Sequence, residues 1–326
     1  MSWAREWSRA CAQVVASPGA VLLVGAPDTG KSTLATWLVN ACLQAGHRVA
    51  VVDADVGQSD VGPPGTVGLG YPGQPIEHLD QVPASALAFV GATSPARSPA
   101  HHVVATASMV GRARREGAAV VVVDTTGTVS GRLGHMLKEL KMAAISPEWV
   151  VALEREDELA PILRGLRGRT QPRLLRVPPS GRARERCREE RRANRERLLG
   201  CYLQDAAPLD ISLTELGVVN SFWEKDVREE VPEREWQNLW VGLTDDRGEV
   251  LAAGTILEAS YAGDRLRVLT PWKEARAVRG IIVGSMRVTS DGREAGSVVS
   301  GARDGRPRGG GPGDGGGRDG GPRGGG

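Results

Sequence analysis

The run Gly25-Ala26-Pro27-Asp28-Thr29-Gly30-Lys31-Ser32 constrains this chain more than any other stretch. It satisfies the pattern G-x-x-x-x-G-K-[ST], follows the apolar run Ala20 to Val24, and opens a helical pattern from Gly30 to about Ala45. That strand, loop and helix context is what the motif requires. Glycines let successive backbone N–H groups curl around phosphate oxygens, and the helix N-terminus adds partial positive charge at the same point. The expectation is a bound nucleoside triphosphate, ATP, with Mg2+. Gly25, Asp28, Thr29, Gly30, Lys31, Ser32 and Thr33 would form the cradle. Lys31 would reach the β- and γ-phosphates, and Ser32 would bind the metal. An Asn-Lys-x-Asp pattern for selecting guanine does not follow, which argues against a regulatory GTPase.

Around this loop, short β-branched runs alternate with helix-length amphipathic stretches. Strands are expected at Val49 to Asp53, Leu87 to Val90, Ala119 to Asp124 and Trp149 to Leu153, with helices near His101 to Arg115 and Leu133 to Ala143. Such alternation predicts an α/β fold: a P-loop NTPase domain with a mostly parallel sheet covered by helices, its ligand at the strands' carboxyl ends. From about Pro208 the rhythm changes to strands separated by turn residues, with a hairpin turn at Asp245-Asp246-Arg247-Gly248 and further strands at Arg265 to Leu269 and Gly280 to Val288. A small β-rich C-terminal domain over 207–295 follows a kinase-sized domain over 1–206. Trp223, Trp236, Trp240 and Trp272 read as its packing residues. Beyond 296 the composition collapses to glycine, arginine, aspartate and proline, a tail expected to be disordered.

The second strand ends in Asp53-Ala54-Asp55-Val56-Gly57-Gln58-Ser59-Asp60. Side chains alternate along a strand, so Asp53 and Asp55 point the same way, at the end where phosphates and metal lie. One can position Mg2+ while the other accepts the proton of an attacking hydroxyl.

Charge is uneven along the chain. Residues 164–197 hold 13 arginines against four glutamates, in a protein whose formal net charge is only +2, so the remainder is acidic. One segment is therefore built to meet anions, and a polyanion suits it better than a metabolite. Cys11, Cys42, Cys187 and Cys201 form no CxxC pair and read as reduced structural thiols. The charged N-terminus lacks the apolar core of a signal peptide, and no run approaches membrane-spanning length, so the expected location is the cytoplasm. His101 and His102 read as surface residues without a role.

Four blocks in order resemble the polynucleotide 5′-hydroxyl kinase family: GAPDTGKST at 25–33, DADVGQSDVGPPGTV at 53–67, DTTGTVSG at 124–131 and an arginine-rich helix at 182–203. The resemblance implies transfer of the γ-phosphate of ATP to the 5′-hydroxyl end of RNA or DNA. It makes Asp55 the general base, which leaves Asp53 with Ser32 for the metal. It also places Gln58 and Ser59 near the γ-phosphate, and sets Asp124, Thr125, Thr126 and Gly127 in a turn approaching the phosphates. A tryptophan often follows that turn in eukaryotic members; here the residue is Thr128. Arg192, Arg195 and Arg197 match the lid pattern, with Arg192 and Arg197 expected to meet the transferred phosphoryl, Arg195 in reserve, and the lid over 164–203 expected to stay mobile until substrates bind. Some members of this family hold ATP as scaffolds of RNA-processing complexes, which is the alternative function.

Overall fold

The protein is described from a computed structural model that covers residues 2–220 and 232–298. It opens with helix α1 (Ser2–Ala16), strand β1 (Ala20–Gly25), α2 (Lys31–Gln44), β2 (Val49–Ala54), β3 (Thr66–Gly70) and β4 (Ala84–Phe89). Then come α3 (Pro99–Arg115), β5 (Val120–Thr125), α4 (Gly131–Ile145), β6 (Trp149–Leu153), the single turn α5 (Ala160–Leu163), β7 (Arg173–Val177) and α6 (Arg188–Leu203). The remaining strands are β8 (Ala207–Ile211), β9 (Gly217–Asn220), β10 (Leu239–Thr244), β11 (Val250–Ser260), β12 (Arg265–Thr270), β13 (Gly280–Val288) and β14 (Glu294–Ser297).

Five parallel strands in the order β2-β5-β1-β6-β7 form the core. The inner strands are buried on both faces because helices cover both, whereas the edge strand β7 exposes Arg173 and Arg176. On β1, Leu22 and Val24 face α3 to α5 through Val110, Ile145 and Ile162. Val21 and Leu23 face α1 and α2 through Trp7, Val14, Leu34 and Leu38. α1 has no counterpart among the elements expected from the sequence. Its Trp7 packs edgewise against both Trp3 and Trp37 of α2, and Trp7 Nε1 donates to Pro178 O at 2.9 Å.

The sheet does not stop at the parallel core. β3 and β4 add antiparallel strands beside β2, and β11 joins β4 through the pair Val250 and Leu87, so the C-terminal strands extend the same ladder. They carry their own core of Trp236, Leu243, Ile256, Val268 and Ile281. Trp236 and Trp240 are fully buried, as packing residues should be; Trp223 lies outside the described residues. The hairpin turn falls at Asp245 to Gly248 as read. Two boundaries differ from expectation. Residues 173–177, assigned to the lid, are an edge strand of the parallel core, and β14 reaches Ser297, beyond the assigned tail start. The tail from residue 299 lies outside the described residues. No described helix is long and apolar enough to cross a membrane.

Candidate active site at the carboxyl ends of the parallel strands

The phosphate loop leaves β1 at Gly25 and enters α2 at Lys31. Gly30 takes a left-handed φ of 94°, which only glycine adopts without strain, and Asp28 sits at φ 56°. Lys31 Nζ donates to Ala26 O at 2.8 Å, and burial pushes its ammonium down, opposed by Asp124, Asp55 and Asp28. Thr29 is buried with its hydroxyl on Ala26 O, whereas Thr33 is exposed in the first turn of α2.

β2 and β5 are paired in parallel with Asp53 opposite Asp124, so two carboxylates stand side by side at the strand ends. Their surroundings separate their uses. Asp53 Oδ1 accepts from Asp55 N at 2.9 Å, while Oδ2 accepts from Asp60 N at 2.5 Å and Val61 N at 3.0 Å. Three turn amides thus engage the two oxygens of Asp53, against one on Asp124, Thr125 N to Oδ1 at 2.8 Å, which makes Asp53 the poorer metal ligand of the two. Asp124 Oδ2 instead accepts from Ser32 Oγ at 2.5 Å, and burial raises its carboxyl while Lys31 and Ser32 lower it. Ser32 and Asp124 are the pair that fits Mg2+, which is held by few protein oxygens plus phosphate and water. Among the described residues no cluster of three or more His, Cys, Asp or Glu could hold a metal ion by itself.

Asp55 is half-buried beyond the end of β2. Its Oδ1 accepts from Gly57 N and Gln58 N, both at 3.1 Å. Oδ2 has no hydrogen-bond donor among the described residues. Ser59 is fully buried, with its hydroxyl donating to Val61 O at 3.4 Å within its own turn. The Asp124 turn is also divided. Thr125 is buried with its hydroxyl on Leu23 O at 2.7 Å, so its side chain turns into the sheet and away from the nucleotide. Thr126 is buried, Thr128 is half-buried, and Gly127 lies so close to the phosphate loop that a Cβ there would come within 2.5 Å of Pro27 N.

The arginine helix lies over this floor, and the arginine that reaches the loop is Arg191. Its Nη2 meets Asp28 Oδ2 at 2.6 Å, and the same oxygen accepts from Arg186 N at 3.0 Å. Ser180 N donates to Thr29 O at 3.0 Å. Gln58 bridges the two layers: its Nε2 donates to Arg191 O at 3.1 Å and its Oε1 accepts from Asn194 Nδ2 at 3.2 Å. The expected lid residues point elsewhere. Arg192 pairs with Glu196 and donates to Glu294 O, Arg195 is held by both oxygens of Glu294, and Arg197 is exposed with one contact to Asn194. Leu199 and Leu203 anchor the far end of α6 in a cluster with Phe89, Trp240 and Met286. Helical geometry explains the shift, since Arg191 and Asn194 share a face that Arg192 does not.

His102, expected at the surface, is fully buried, and so are Lys138 and Lys141 of α4, which the sequence reading passed over. Buried α4 positions are Gly134, Leu137, Lys138, Lys141, Met142 and Ile145. The signal was available: two lysines occupy a stripe of helical spacing that is otherwise apolar.

The family described as mRNA cleavage and polyadenylation factor CLP1 P-loop matches residues 25–205. The chain is 30% identical over 325 aligned residues to a polyribonucleotide 5′-hydroxyl-kinase of Pyrococcus furiosus, covering 86% of this chain and 90% of that one. A polyribonucleotide 5′-hydroxyl-kinase of Methanocaldococcus jannaschii is 28% identical, covering 88% and 91%. Among solved structures, a chain of the wild-type Clp1p–Pcf11p complex superposes with a TM-score of 0.67 at 12% identity, covering 87% of this chain and 79% of that chain, a likeness of fold.

Proposed function

The chain belongs to the family of the mRNA cleavage and polyadenylation factor CLP1 P-loop, and from that premise we propose that it transfers the γ-phosphate of ATP to the 5′-hydroxyl end of a polynucleotide. The observation that carries this reading is Asp55, a carboxylate with one oxygen uncommitted, standing beside the phosphate loop and beneath an arginine-rich helix. The names of the archaeal relatives support the same reaction.

In this mechanism the loop amides and Lys31 hold the β- and γ-phosphates, and the Lys31 ammonium leaves Ala26 O to meet the charge that grows between them. Ser32 and Asp124 would hold Mg2+, which supplies charge neutralisation at the phosphates when bound. Asp55 Oδ2 accepts the proton of the 5′-hydroxyl as its oxygen attacks phosphorus in line, and ADP leaves. Arg191 exchanges Asp28 for the nucleotide, since guanidinium binds phosphate as readily as carboxylate. Arg192 and Arg197, on the open side of α6, contact the acceptor strand's backbone. Asp53 keeps the Asp55 turn in shape.

The test is incubation with γ-labelled ATP and a panel of RNA and DNA oligonucleotides bearing 5′-hydroxyl or 5′-phosphate ends. Label should appear only on 5′-hydroxyl ends. Tight ATP binding with no labelled product on any acceptor would instead establish the scaffold reading.

A further inference from the structure

Lys138 and Lys141 lie three positions apart on α4, each 1% exposed, behind the carboxylates and away from solvent. Lysines are almost never buried to this extent unless partnered. Lys138 Nζ donates to Thr125 Oγ1 at 2.7 Å and to Thr126 O at 2.6 Å. Thr125 Oγ1 in turn donates to Leu23 O at 2.7 Å, just before the phosphate loop. One ammonium therefore fixes the turn that follows Asp124 and ties it to β1.

Lys141 reaches the neighbouring turn by a different route. Its Nζ lies 3.0 Å from His102 Nε2, which lies 2.8 Å from Ala54 O, the carbonyl between Asp53 and Asp55. A carbonyl only accepts, so His102 carries its proton on Nε2 and donates it there. His102 Nδ1 is buried with no partner among the described residues, which fits an unprotonated nitrogen at that position. Burial pushes Lys141 down to about 7, with Asp55, Asp53 and Asp124 pulling the other way, and pushes His102 well below its ordinary value.

We propose that Lys138 and the Lys141–His102 pair are positioning residues for phosphoryl transfer, each fastened to the backbone of one carboxylate-bearing turn, so that α4 sets the separation of Asp55 and Asp124. This rests on the function proposed above. Neither lysine touches the phosphate loop, so nucleotide affinity does not depend on them, whereas the geometry of attack does. Outer residues that orient reacting groups are typically worth about 10–100-fold in activity.

The experiment compares Lys138→Met and Lys141→Met, which keep side-chain length, with wild type. Expected are a kcat for labelling 5′-hydroxyl RNA lower by about 10–100-fold with KM for ATP within about threefold. Hydrogen exchange should accelerate by about tenfold or more at residues 125–127 in the first variant and at 54–58 in the second, with other core strands unchanged. Wild-type kcat with unchanged exchange in those turns would overturn the proposal. If either lysine variant fails to fold, His102→Gln and His102→Leu decide. Glutamine retains an N–H donor for Ala54 O and a second N–H toward Lys141 Nζ, so it should keep near-wild-type kcat while leucine, which has neither, loses it; equal kcat in the two variants refutes the arrangement. Should wild type label no 5′-hydroxyl end, the function reading fails by itself, and the exchange measurement still decides whether α4 holds the turns.

Discussion

The floor and the roof of this site are built on opposite terms. In the floor, Lys31, Asp53, Asp124, Lys138 and Lys141 are buried ionisable groups, each tied to backbone or to another side chain. In the roof, Arg192 and Arg197 are exposed, and α6 carries several arginines of which one, Arg191, meets the phosphate loop. Burying a charge costs several kcal/mol unless it is partnered, so each floor residue has one workable position. An exposed arginine costs little wherever it points, so roof residues can replace each other. The floor should therefore respond to single substitutions with large losses, and the roof with small, shared ones.

The largest effect is expected at Lys31. Lys31→Ala should lower kcat by about 10³-fold or more, since it removes the cation nearest the charge that moves during transfer. Turnover within tenfold of wild type would mean the phosphate loop is not where chemistry occurs. Asp55→Asn should come next, slowing transfer by roughly 10²–10⁴-fold while ATP binding persists. Asp53→Asn should behave differently, because its amide NH2 would face N–H groups that now meet a carboxylate oxygen; a fall in melting temperature should accompany any fall in rate. If Asp53→Asn instead keeps its stability and loses metal dependence, Asp53 and not Asp124 holds the ion.

The roof sharpens the contrast. Arg191→Ala should raise KM for ATP and lower kcat by about tenfold, the worth of a charge-assisted contact of some 1.5 kcal/mol. Arg192→Ala and Arg197→Ala should each cost less, with effects that shrink in high salt and fall mainly on the acceptor's KM. A single roof variant as damaging as Lys31→Ala would break the comparison outright.

The smallest effect concerns stability and pH. Lys141 is pushed down to about 7 when folded and returns to 10.5 when unfolded, so between those values the unfolded chain binds more protons. Stability should therefore rise with pH from about 7 to 10, and Lys141→Met should flatten that slope. Asp60 works the other way, since burial and Asp124 raise it to about 7, and stability from this group should fall as pH climbs from about 4 to 7. Thermal denaturation of both proteins at pH 6, 8 and 9.5 measures the difference, and parallel curves would show that Lys141 does not change its proton affinity on folding.

By itself the sequence determined the phosphate loop, the parallel sheet and the two carboxylate turns. Those features depend on local rules: glycine at Gly30 for a left-handed turn, apolar runs for doubly covered strands, and aspartates at strand ends. It also carried the packing role of Trp236 and Trp240 in the C-terminal strands. Only the tertiary structure decided between Asp53 and Asp124, because a carboxylate's role turns on which amides and hydroxyls come within 3 Å, and Ser32 lies 92 positions from Asp124. It decided likewise among Arg191, Arg192, Arg195 and Arg197, since Glu294 arrives from the last described strand to claim two of them. α1 and the buried lysines lie between these cases: their helical spacing was legible, but what they cover was not, because a helix face acquires meaning only when a neighbour is placed against it.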